Sequence, residues 1–552
     1  MRPARHVTRA LVLFALAGGC NAIFGLDARE PFPCPPGEPV NCYTGPAGTE
    51  GVGLCEPGMA MCNADGTALG ECEGEVTPAT ETCDGDGDAL DEDCDGETNE
   101  SELVEDCNVL GDEDCDGVGC ADPIWSAIYG DASIQAPTSI ATDPMGNVFV
   151  CGVFEGNIKF GDTSLISAGA ADIFLVKLDS AGQPMWSKRF GDATSQFPCE
   201  LAIDTTGNVV IVGGFQGSID FGGGILVSAG AFDSFVAKFA ASGAHLWSKR
   251  YGDVGGGILA PPIYVAVDSS GDVVVAGGFQ GAIDFGNGEM IATGGSDVFL
   301  AKLAGANASA LWSKRFGDNL AQSARGVAID GSGSVVILGS FTGSLELGGD
   351  ILSPVNANGV DTFVARFDGQ GNHDWSKSFG VSGEHLPTAI KVDSSGAAMI
   401  AGTFSESITF GASTLTSAGG NDIFFAKLRP SDGTTQWSKR FGTSSDDSIT
   451  DIAVDASDNM LIAGTTDGAV DFGGGPLLSA GLPDIVIAKL DPLGGHLWSK
   501  RFGDSSGQYS PYVATASSNE VLLTCQADGT VDFGGEPLAS AGTDVVIAKF
   551  AP

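Results

Sequence analysis

The sequence lacks short motifs by which several classes of enzyme are recognised. It contains no His-Glu-x-x-His zinc site and no Gly-x-x-x-x-Gly-Lys phosphate loop. Histidine, the commonest catalytic base, occurs five times in 552 residues, at His6, His245, His373, His385 and His496. His245, His373 and His496 share one position before a repeated tryptophan, so we expect them at the surface, and we expect His385 in a loop. These features favour a protein without enzymatic activity.

Basic residues are missing from one long stretch of the chain. Between Glu30 and Asp122 there are 26 acidic residues and no lysine or arginine. The whole chain has 71 acidic and 26 basic residues, a formal net charge of −45. Such a surface repels nucleic acid and anionic lipid headgroups, and it attracts cations. We therefore expect no nucleic-acid partner.

Long hydrophobic runs are also rare, and the N-terminal one is short. Arg2, Arg5 and Arg9 precede the apolar segment Ala10–Ala17, which is too short to span a membrane. A basic segment followed by a short apolar one is typical of a secretory signal, which we predict over residues 1–19.

The end of that signal resembles a bacterial lipobox, in which a cysteine becomes the lipidated first residue. The run reads Leu-Ala-Gly-Gly-Cys and ends at Cys20, with Ala17 where a leucine is usual. Lipidation would anchor an exported protein at the outer membrane or cell surface, with residues 20–33 as a tether and no other membrane contact. Ordinary signal cleavage and a structural role for Cys20 are the alternatives.

Ten of the 14 cysteines lie in an acidic, loop-rich region that we assign to residues 34–122. An even, dense set behind an export signal predicts five disulfides of open connectivity, with a zinc cluster as the less favoured alternative. Cys151, Cys199 and Cys525 lie further on; there we favour buried free thiols over a Cys151–Cys525 bridge. The ten are Cys34, Cys42, Cys55, Cys62, Cys72, Cys83, Cys94, Cys107, Cys115 and Cys120.

Two aspartate-rich clusters in this region favour a hard cation. Alternating carboxylates partly fit the calcium loop, which uses positions 1, 3, 5, 9 and 12. The first cluster departs from that loop at Ala89, where glycine is usual, and at Asp95, where a bidentate glutamate is usual. We predict Ca²⁺ as the ligand, with another metal or a solvated acidic linker as alternatives. The candidate ligands are Asp84, Asp86, Asp88, Glu92, Asp95, Asp112, Asp114 and Asp116.

The first cluster resembles a metal-binding motif of surface proteins from large-genome bacteria. In that family the pattern reads Cys-Asp-Gly-x-Asp-Asn-Asp-Cys-Asp-Gly, and here Cys83-Asp-Gly and Cys94-Asp-Gly repeat its ends across a longer spacer. The resemblance implies metal binding in the acidic region and no enzymatic reaction.

All seven tryptophans head copies of one motif. They are 61, 61, 65, 63, 62 and 61 residues apart, and six begin Trp-Ser-Lys. A fixed long period is the mark of a repeat architecture. The tryptophans are Trp125, Trp186, Trp247, Trp312, Trp375, Trp437 and Trp498.

Each repeat contains four stretches of strand-like sequence separated by Gly, Asp, Asn and Ser. These turn residues suit short antiparallel hairpins, and four antiparallel strands repeated radially describe a β-propeller blade. The connection between the second and third strands is long, and we expect its phenylalanine to pack between blades. We expect the aspartate that begins each third strand to cap a turn or to pair with a repeat lysine such as Lys188.

The ends of the repeat region predict how the ring closes. The seventh repeat stops after its third strand, and the missing fourth strand is present before the first repeat, as Ile124–Gly130. We predict that this segment pairs with Val545–Phe550, because an open array would leave an unpaired sheet edge. The predicted fold is therefore an all-β, seven-bladed β-propeller over residues 123–552.

This region resembles the bacterial β-propeller repeat of SBBP type, found in secreted and cell-surface proteins. The resemblance rests on Trp-Ser-Lys-Arg-Phe-Gly and Asp-x-Phe-x-Ala-Lys and implies no defined reaction. We expect a monomeric, non-enzymatic binding or adhesion module for an unknown protein or glycan; the alternative is an exported polysaccharide hydrolase or lyase. A ligand surface is first expected where repeats depart from the consensus, in blade four (Glu346–Gly348, Arg366, Ser378) and at Gly255–Pro262.

Overall fold

A computed structural model describes residues 34–44, 49–50, 55–65, 68–77, 123–252, 263–355 and 359–552. The chain divides into two compact units, one of residues 1–106 and 110–119 and one of residues 107–109 and 120–552. Within the described ranges every regular element is a β-strand. In these ranges no helix is long and apolar enough to cross a membrane.

The described part of the first unit is a small hairpin held by disulfides. Its strands, Pro39–Cys42 and Gly58–Met61, are antiparallel. Cys34 is bonded to Cys62 and Cys42 to Cys72, with Cα separations of 5.9 and 5.7 Å. A unit with so little apolar core depends on such cross-links. Cys55 is also disulfide-bonded; the other five predicted cysteines, Cys83, Cys94, Cys107, Cys115 and Cys120, lie outside the described residues.

The second unit is a ring of seven four-stranded antiparallel sheets, as predicted. We number the blades along the chain and the strands of each blade from one to four. The strands are Gln135–Thr142, Val148–Phe154, Asp172–Leu178 and Pro184–Phe190 in blade one; Glu200–Ile203, Val209–Phe215, Asp233–Phe239 and His245–Tyr251 in blade two; Tyr264–Val267, Val273–Phe279, Asp297–Leu303 and Ala310–Phe316 in blade three; Gln322–Ile329, Val335–Phe341, Asp361–Phe367 and His373–Phe379 in blade four; His385–Val392, Ala398–Phe404, Asp422–Leu428 and Thr435–Phe441 in blade five; Asp447–Val454, Met460–Thr466, Asp484–Leu490 and His496–Phe502 in blade six; and Gln508–Thr515, Val521–Ala527, Asp544–Phe550 and Pro123–Tyr129 in blade seven.

Blade seven is completed by the segment that precedes blade one. Trp125 lies opposite Lys549, and Tyr129 lies opposite Val545, in an antiparallel ladder. The predicted closure is therefore confirmed, and no third strand is left as an open edge.

The long connection between strands two and three forms a short hairpin in six blades and an isolated bridge, Leu345–Leu352, in blade four. Its aromatic residue is buried against the preceding blade; the Phe221 ring, for example, lies 4.9 Å from that of Phe190. The predicted inter-blade packing is confirmed. The hairpin strands are Asn157–Phe160 with Thr163–Ile166, Ser218–Asp220 with Ile225–Val227, Ala282–Asp284 with Glu289–Ile291, Ser407–Phe410 with Ser413–Thr416, Ala469–Asp471 with Pro476–Leu478, and Thr530–Val531 with Leu538–Ala539.

Strands two and three of each blade are covered on both faces by the neighbouring blades. Every residue of Val209–Phe215 and Asp233–Phe239 is buried. A strand buried on both faces requires a continuous apolar run rather than alternation, which explains sequences such as Val-Val-Ile-Val-Gly-Gly-Phe.

The tryptophans fasten consecutive blades to each other. Trp186 in strand four of blade one donates its indole N–H to the carbonyl of Ala241, in a turn of blade two, at 3.2 Å. Trp125 makes the equivalent bond from blade seven to Ser180 of blade one, at 3.1 Å. The same bond, at 2.8–3.3 Å, joins Trp247 to Gly305, Trp312 to Gly369, Trp375 to Pro430 and Trp437 to Pro492.

A buried ion pair recurs in each blade between a strand-three cation and the turn after strand one. In blade one, Lys177 Nζ lies 2.9 Å from Asp143 Oδ2, and both side chains are almost fully buried. Burial opposes ionisation of Asp143, but Asn147 and Lys177 outweigh it and lower the pKa of this carboxyl. The equivalent pairs are Lys238–Asp204, Lys302–Asp268, Arg366–Asp330, Lys427–Asp393, Lys489–Asp455 and Lys549–Glu520.

The aspartate that begins strand three has a different partner from the lysine expected. Asp172 Oδ2 accepts the Ala168 backbone N–H and pairs with Arg189, one residue beyond Lys188. Lys188 instead lies over the Trp186 ring. Alternation explains the difference, because Arg189 and Lys188 point to opposite faces of strand four. The turn-capping part of the prediction is confirmed. Arg250–Asp233, Arg315–Asp297, Arg440–Asp422 and Arg501–Asp484 repeat this pair.

Two of the three propeller cysteines differ from the prediction of buried free thiols, which is confirmed for Cys525 alone. Cys151 in blade one is bonded to Cys199 at the start of blade two, with Cα atoms 6.4 Å apart. Cys525 is buried and free. The alternative Cys151–Cys525 bridge is also wrong, because Cys525 packs among residues shared with blade six, whereas Cys151 packs toward blade two.

Candidate functional site: the central channel

The first strands of the seven blades surround a central channel with a cavity of about 700 Å³. All seven contribute lining residues, from Thr138–Thr142 in blade one to Tyr512–Thr515 in blade seven. This volume lies within the roughly 300–1,000 Å³ typical of small-molecule sites.

One level of the channel carries a different kind of side chain in almost every blade. It is formed by the residue four places before the turn aspartate of the buried ion pair, for example Glu200 before Asp204; in blade seven Ala516 stands in the place of that aspartate. We call this level the mixed ring. The residue after it is aliphatic in all seven blades, so the repeats agree there and differ at the mixed ring. The mixed ring is Ser139, Glu200, Tyr264, Gly326, Ala389, Asp451 and Tyr512.

Two cations lie beside the mixed ring. Lys391 stands two places before the turn aspartate of blade five, where the other six blades have alanine. Arg325 precedes Gly326 in blade four. Lys391 and Arg325 both line the cavity. Gly326 and Ala389, the two smallest members of the mixed ring, belong to the same two blades as these cations.

The two carboxylates of the mixed ring lie in a setting that disfavours their charge. Glu200 Oε2 accepts the Val265 backbone N–H at 3.1 Å. Burial raises the pKa of Glu200 to about 8; Lys391 and the Val265 N–H oppose this, and the Asp451 charge adds to it. Burial also raises the pKa of Asp451, against Lys391 and the N–H groups of Val513 and Ile452. Both side chains remain half-exposed to the channel, so they are accessible to a ligand.

Two tyrosines flank the carboxylates. Burial raises the pKa of Tyr512 to about 12, and the charges of Asp451 and Glu200 add to the effect. Burial and the Glu200 charge likewise raise the pKa of Tyr264, against the influence of Arg325. Both phenols are therefore neutral at physiological pH, and both residues line the cavity.

Lys391 has no close partner of its own. Among the residues that the structure describes, its ammonium makes no hydrogen bond or ion pair within 4 Å, although its charge acts on both Glu200 and Asp451. The lysines of strand three, by contrast, are paired with turn carboxylates at 2.7–3.1 Å. An unpaired cation next to an open cavity is available to an anionic group of a ligand.

The departures in blade four serve packing and internal ion pairs. Leu347 is buried in the place of the inter-blade phenylalanine, and Arg366 replaces a lysine in the pair with Asp330. Ser378 replaces the arginine that would pair with Asp361, and His385 from blade five contacts Asp361 instead, Nδ1 to Oδ1 at 3.3 Å. These contacts account for the three departures. The other place expected to form a ligand surface, Gly255–Pro262, lies outside the described residues.

His385 is buried in strand one of blade five, so its predicted place in a loop is wrong. Its Nδ1 also faces the Val360 carbonyl at 3.2 Å, and its Nε2 faces the Ser407 carbonyl at 2.9 Å. Because both nitrogens face only acceptors, both carry a proton. Burial would lower the pKa of His385, but Asp361 and the two carbonyls outweigh it and raise the pKa above its usual value.

We therefore expect a pH-dependent contribution of His385 to stability. A raised pKa in the folded state stabilises the protein fully below the unfolded pKa of about 6.5, and this contribution is lost as the pH rises through the folded value. His385→Gln, the residue at this position in four other blades, should lower the Tm below that pH range and converge with the wild type above it. The measurement is the Tm of both proteins across the pH range.

The double variant Ser378→Arg/His385→Gln is the control, because it restores the arginine–aspartate pair of the other blades. It should recover the Tm and lose the pH dependence. A Tm difference between wild type and His385→Gln that stays constant with pH would contradict the charged state of His385.

His245, His373 and His496 are half-buried and interact within their own strand. Their Nε2 atoms lie 3.0–3.2 Å from the hydroxyls of Ser248, Ser376 and Ser499. Each ring also lies over a glycine of the neighbouring hairpin, such as Gly223. They are more enclosed than predicted, and the repetition of one contact in three blades indicates packing.

The predicted lipidation site Cys20 and the eight predicted calcium ligands lie outside the described residues. Among the described residues there is no group of three or more histidine, cysteine, aspartate or glutamate side chains placed to hold a metal ion. Sequence reasoning missed Glu200, Asp451, Lys391 and Arg325. Disagreement among the seven copies at the mixed ring could have indicated Glu200 and Asp451, and the alanine of the other six blades could have indicated Lys391.

The fold and its channel define a seven-bladed β-propeller of four-stranded blades. Residues 436–471 match the family described as Beta-propeller repeat, SBBP.

Two curated proteins are related in sequence. One is the Uncharacterized WD repeat-containing protein L264 of Acanthamoeba polyphaga mimivirus, 26% identical over 170 residues, 27% of this chain and 12% of that protein. The other is the Regulatory protein FlaEY of Caulobacter vibrioides, 27% identical over 299 residues, 51% of this chain and 31% of that protein. The chain thus spans less than a third of either relative.

Solved structures similar to this chain at 10% identity were also found. They include a protein of unknown function from Dyadobacter fermentans, with a TM-score of 0.40 over 78% of this chain and 99% of that one. A PL25 ulvan lyase has a TM-score of 0.41 over 76% and 95%. The quinohemoprotein alcohol dehydrogenase of Comamonas testosteroni has a TM-score of 0.37 over 78% and 76%.

Proposed function

We propose that this protein is an exported, lipid-anchored binding module without enzymatic activity, and that its ligand site is the central channel. The observation that carries the proposal is the mixed ring with its two neighbouring cations. These side chains differ from blade to blade and line an open cavity.

The polar residues that do repeat are engaged in holding the ring together. The strand-three lysines pair with turn aspartates, the strand-four arginines pair with strand-three aspartates, and six tryptophans bond to the next blade. Structural residues recur in every copy, whereas a binding site for one ligand at the centre of a ring needs a different group on each side. Ser139, Glu200 and Asp451 each accept one backbone N–H of the next blade, and the variation of their side chains beyond this contact supports recognition.

Export and anchoring at the outer membrane or cell surface are supported by the signal predicted over residues 1–19 and by the lipobox-like run ending at Cys20. Calcium binding by the acidic region is supported by its alternating carboxylates. A rise in Tm on calcium titration, absent with magnesium, tests the calcium site; no shift with either ion would remove it from the proposal.

The binding role predicts that ligand capture depends on the channel. Libraries of glycans and short peptides are screened against the wild type and against Lys391→Ala/Glu200→Ser. Both substitutions use residues found at the same repeat positions, alanine in six blades and serine in blade one, so the fold is expected to persist. We expect at least a tenfold loss of affinity. Equal binding by both proteins would place the site elsewhere.

Polysaccharide cleavage is the second candidate function, favoured by the pair of half-buried carboxylates. With a pKa of about 8, Glu200 holds a proton at neutral pH, as a general acid does. The segment Gly503–Gly507 has Gly-x-Ser-x-Gly spacing, but it joins two strands without the following helix of a nucleophile elbow. Cleavage of a polysaccharide by the wild type, lost in Glu200→Gln, would establish the enzyme and overturn the binding proposal.

A further inference from the structure

We propose that the channel takes a small zwitterion, an amino acid or a short peptide with free ends. Its carboxylate would face Lys391 and Arg325, and its ammonium group would face Glu200 and Asp451. The proposal rests on the proposed function and names the ligand class for the same site.

The positive side of the channel is formed by blades four and five. Arg325 and Lys391 project from neighbouring first strands, next to the small residues Gly326 and Ala389. Arginine presents a planar fork of donors that matches a carboxylate, and lysine adds a compact charge. Since Lys391 has no ion-pair partner within 4 Å among the described residues, a ligand carboxylate would not have to displace one.

The acidic groups of the channel come from blade two and from blade six, which adjoins blade five. A carboxylate has about four acceptor positions. Glu200 uses one for the Val265 N–H, and Asp451 uses one for Val513 and one for Ile452. The remaining positions are open to an ammonium group, which has three donors.

The total charge of the site selects for a dipolar ligand. A ligand ammonium group beside Glu200 would favour the ionised form of this carboxyl. Two carboxylates and two cations then cancel, so a simple anion or a simple cation would meet as much repulsion as attraction. A molecule with separated charges can satisfy the acidic and the basic groups at once. Tyr264 and Tyr512 also line the cavity. A further level of the channel, three residues beyond the mixed ring, is lined mainly by β-branched apolar residues. They are Ile203, Val267, Ile329, Val392 and Val454, and Thr142 and Thr515 complete this level.

The alternative is that Lys391 only neutralises Glu200 and Asp451 as part of the packing. The buried lysine–aspartate pairs of this fold argue against it, because Lys177–Asp143, Lys238–Asp204 and Lys489–Asp455 are closed at hydrogen-bonding distance and almost fully buried. Lys391 is half-buried, and among the described residues its ammonium has no ion-pair partner. The other six blades have alanine at this position, so the fold does not require a cation there.

The test is isothermal titration of the full chain with glycyl-phenylalanine and with its two blocked forms, the N-acetyl dipeptide and the C-terminal amide. We expect binding of the free dipeptide and at least tenfold weaker binding of each blocked form. Lys391→Ala should weaken the free dipeptide but leave the amide unchanged. Glu200→Ser should weaken the free dipeptide but leave the N-acetyl form unchanged. Lys159→Ala, at an exposed hairpin position, is the matched control and should bind like the wild type.

The outcomes separate the ligand class from the function. No binding of the free dipeptide at millimolar concentration, or equal binding of the free and blocked forms, would overturn the zwitterion. If a glycan or another ligand then binds and is lost in Lys391→Ala/Glu200→Ser, the binding function stands without the zwitterion. If every ligand found is indifferent to these channel variants, both proposals fall.

Discussion

A chain that begins at Asp131 is expected to lose the closed ring, whereas a chain that begins at Asp122 is expected to keep it. The two differ only in the segment that contains Pro123–Tyr129, the fourth strand of blade seven. Its removal takes away the ladder partner of Asp544–Phe550 and the bond from Trp125 to Ser180 in blade one. An exposed third strand is then free to pair with other chains.

The size of the effect follows from the side chains removed. Trp125 and Tyr129 pack against the core shared by blades seven and one. An aromatic side chain buries roughly 150–250 Å², worth up to about 4–6 kcal/mol each at ~25 cal/mol per Å². We expect the Tm to fall by roughly 10 °C or more. The measurement is thermal unfolding by circular dichroism together with light scattering. Equal Tm values and no association in the shorter chain would contradict closure by this strand.

The second large effect is expected from breaking one of the buried ion pairs. In Lys177→Met, Asp143 keeps its charge in an almost fully buried site without its cation. Removing one partner of a buried pair typically costs about 3–5 kcal/mol. We expect a clear fall in Tm and in the denaturant midpoint, because a methionine of similar length cannot replace the ammonium group.

Two further variants give this experiment its controls. Lys177→Met/Asp143→Asn removes both charges and should recover part of the loss, since no buried charge is then unpaired. Lys159→Met changes an exposed lysine in the same blade and should have little effect. A Lys177→Met protein as stable as Lys159→Met would show that the pair contributes little.

The architecture could be predicted from the sequence because the same pattern of strands and turns occurs in seven copies. The seven copies of four strands predicted the number of blades. The displaced fourth strand at Ile124–Gly130 predicted how the ring closes. The phenylalanine contacts between blades followed from the same periodicity. A repeated residue has to satisfy the same neighbours in every copy, so its role is structural and can be inferred from spacing.

Partners that depend on strand faces could not be inferred in the same way. Asp172 pairs with Arg189 rather than Lys188 because neighbouring residues of a strand point to opposite faces, and the sequence does not show which face meets the aspartate. His385, expected in a loop, is the first residue of a strand. It contacts Asp361 because Ser378 stands where five other blades have the arginine that pairs with this aspartate. The channel residues Glu200, Asp451 and Lys391 could not be predicted from the repeat, because they differ from the residues at the equivalent positions of the other blades.

Closure by the segment that precedes blade one also constrains the order of folding. Trp125 and Lys549 meet across more than four hundred residues of chain, so one of the first strands to be synthesised has to wait for the last. Contacts between such distant positions form slowly, because a long loop must be closed before they are made. The six complete blades can assemble beforehand, while Asp544–Phe550 and Pro123–Tyr129 meet only at the end. Accidental pairing of either strand with another molecule is therefore most damaging during this interval.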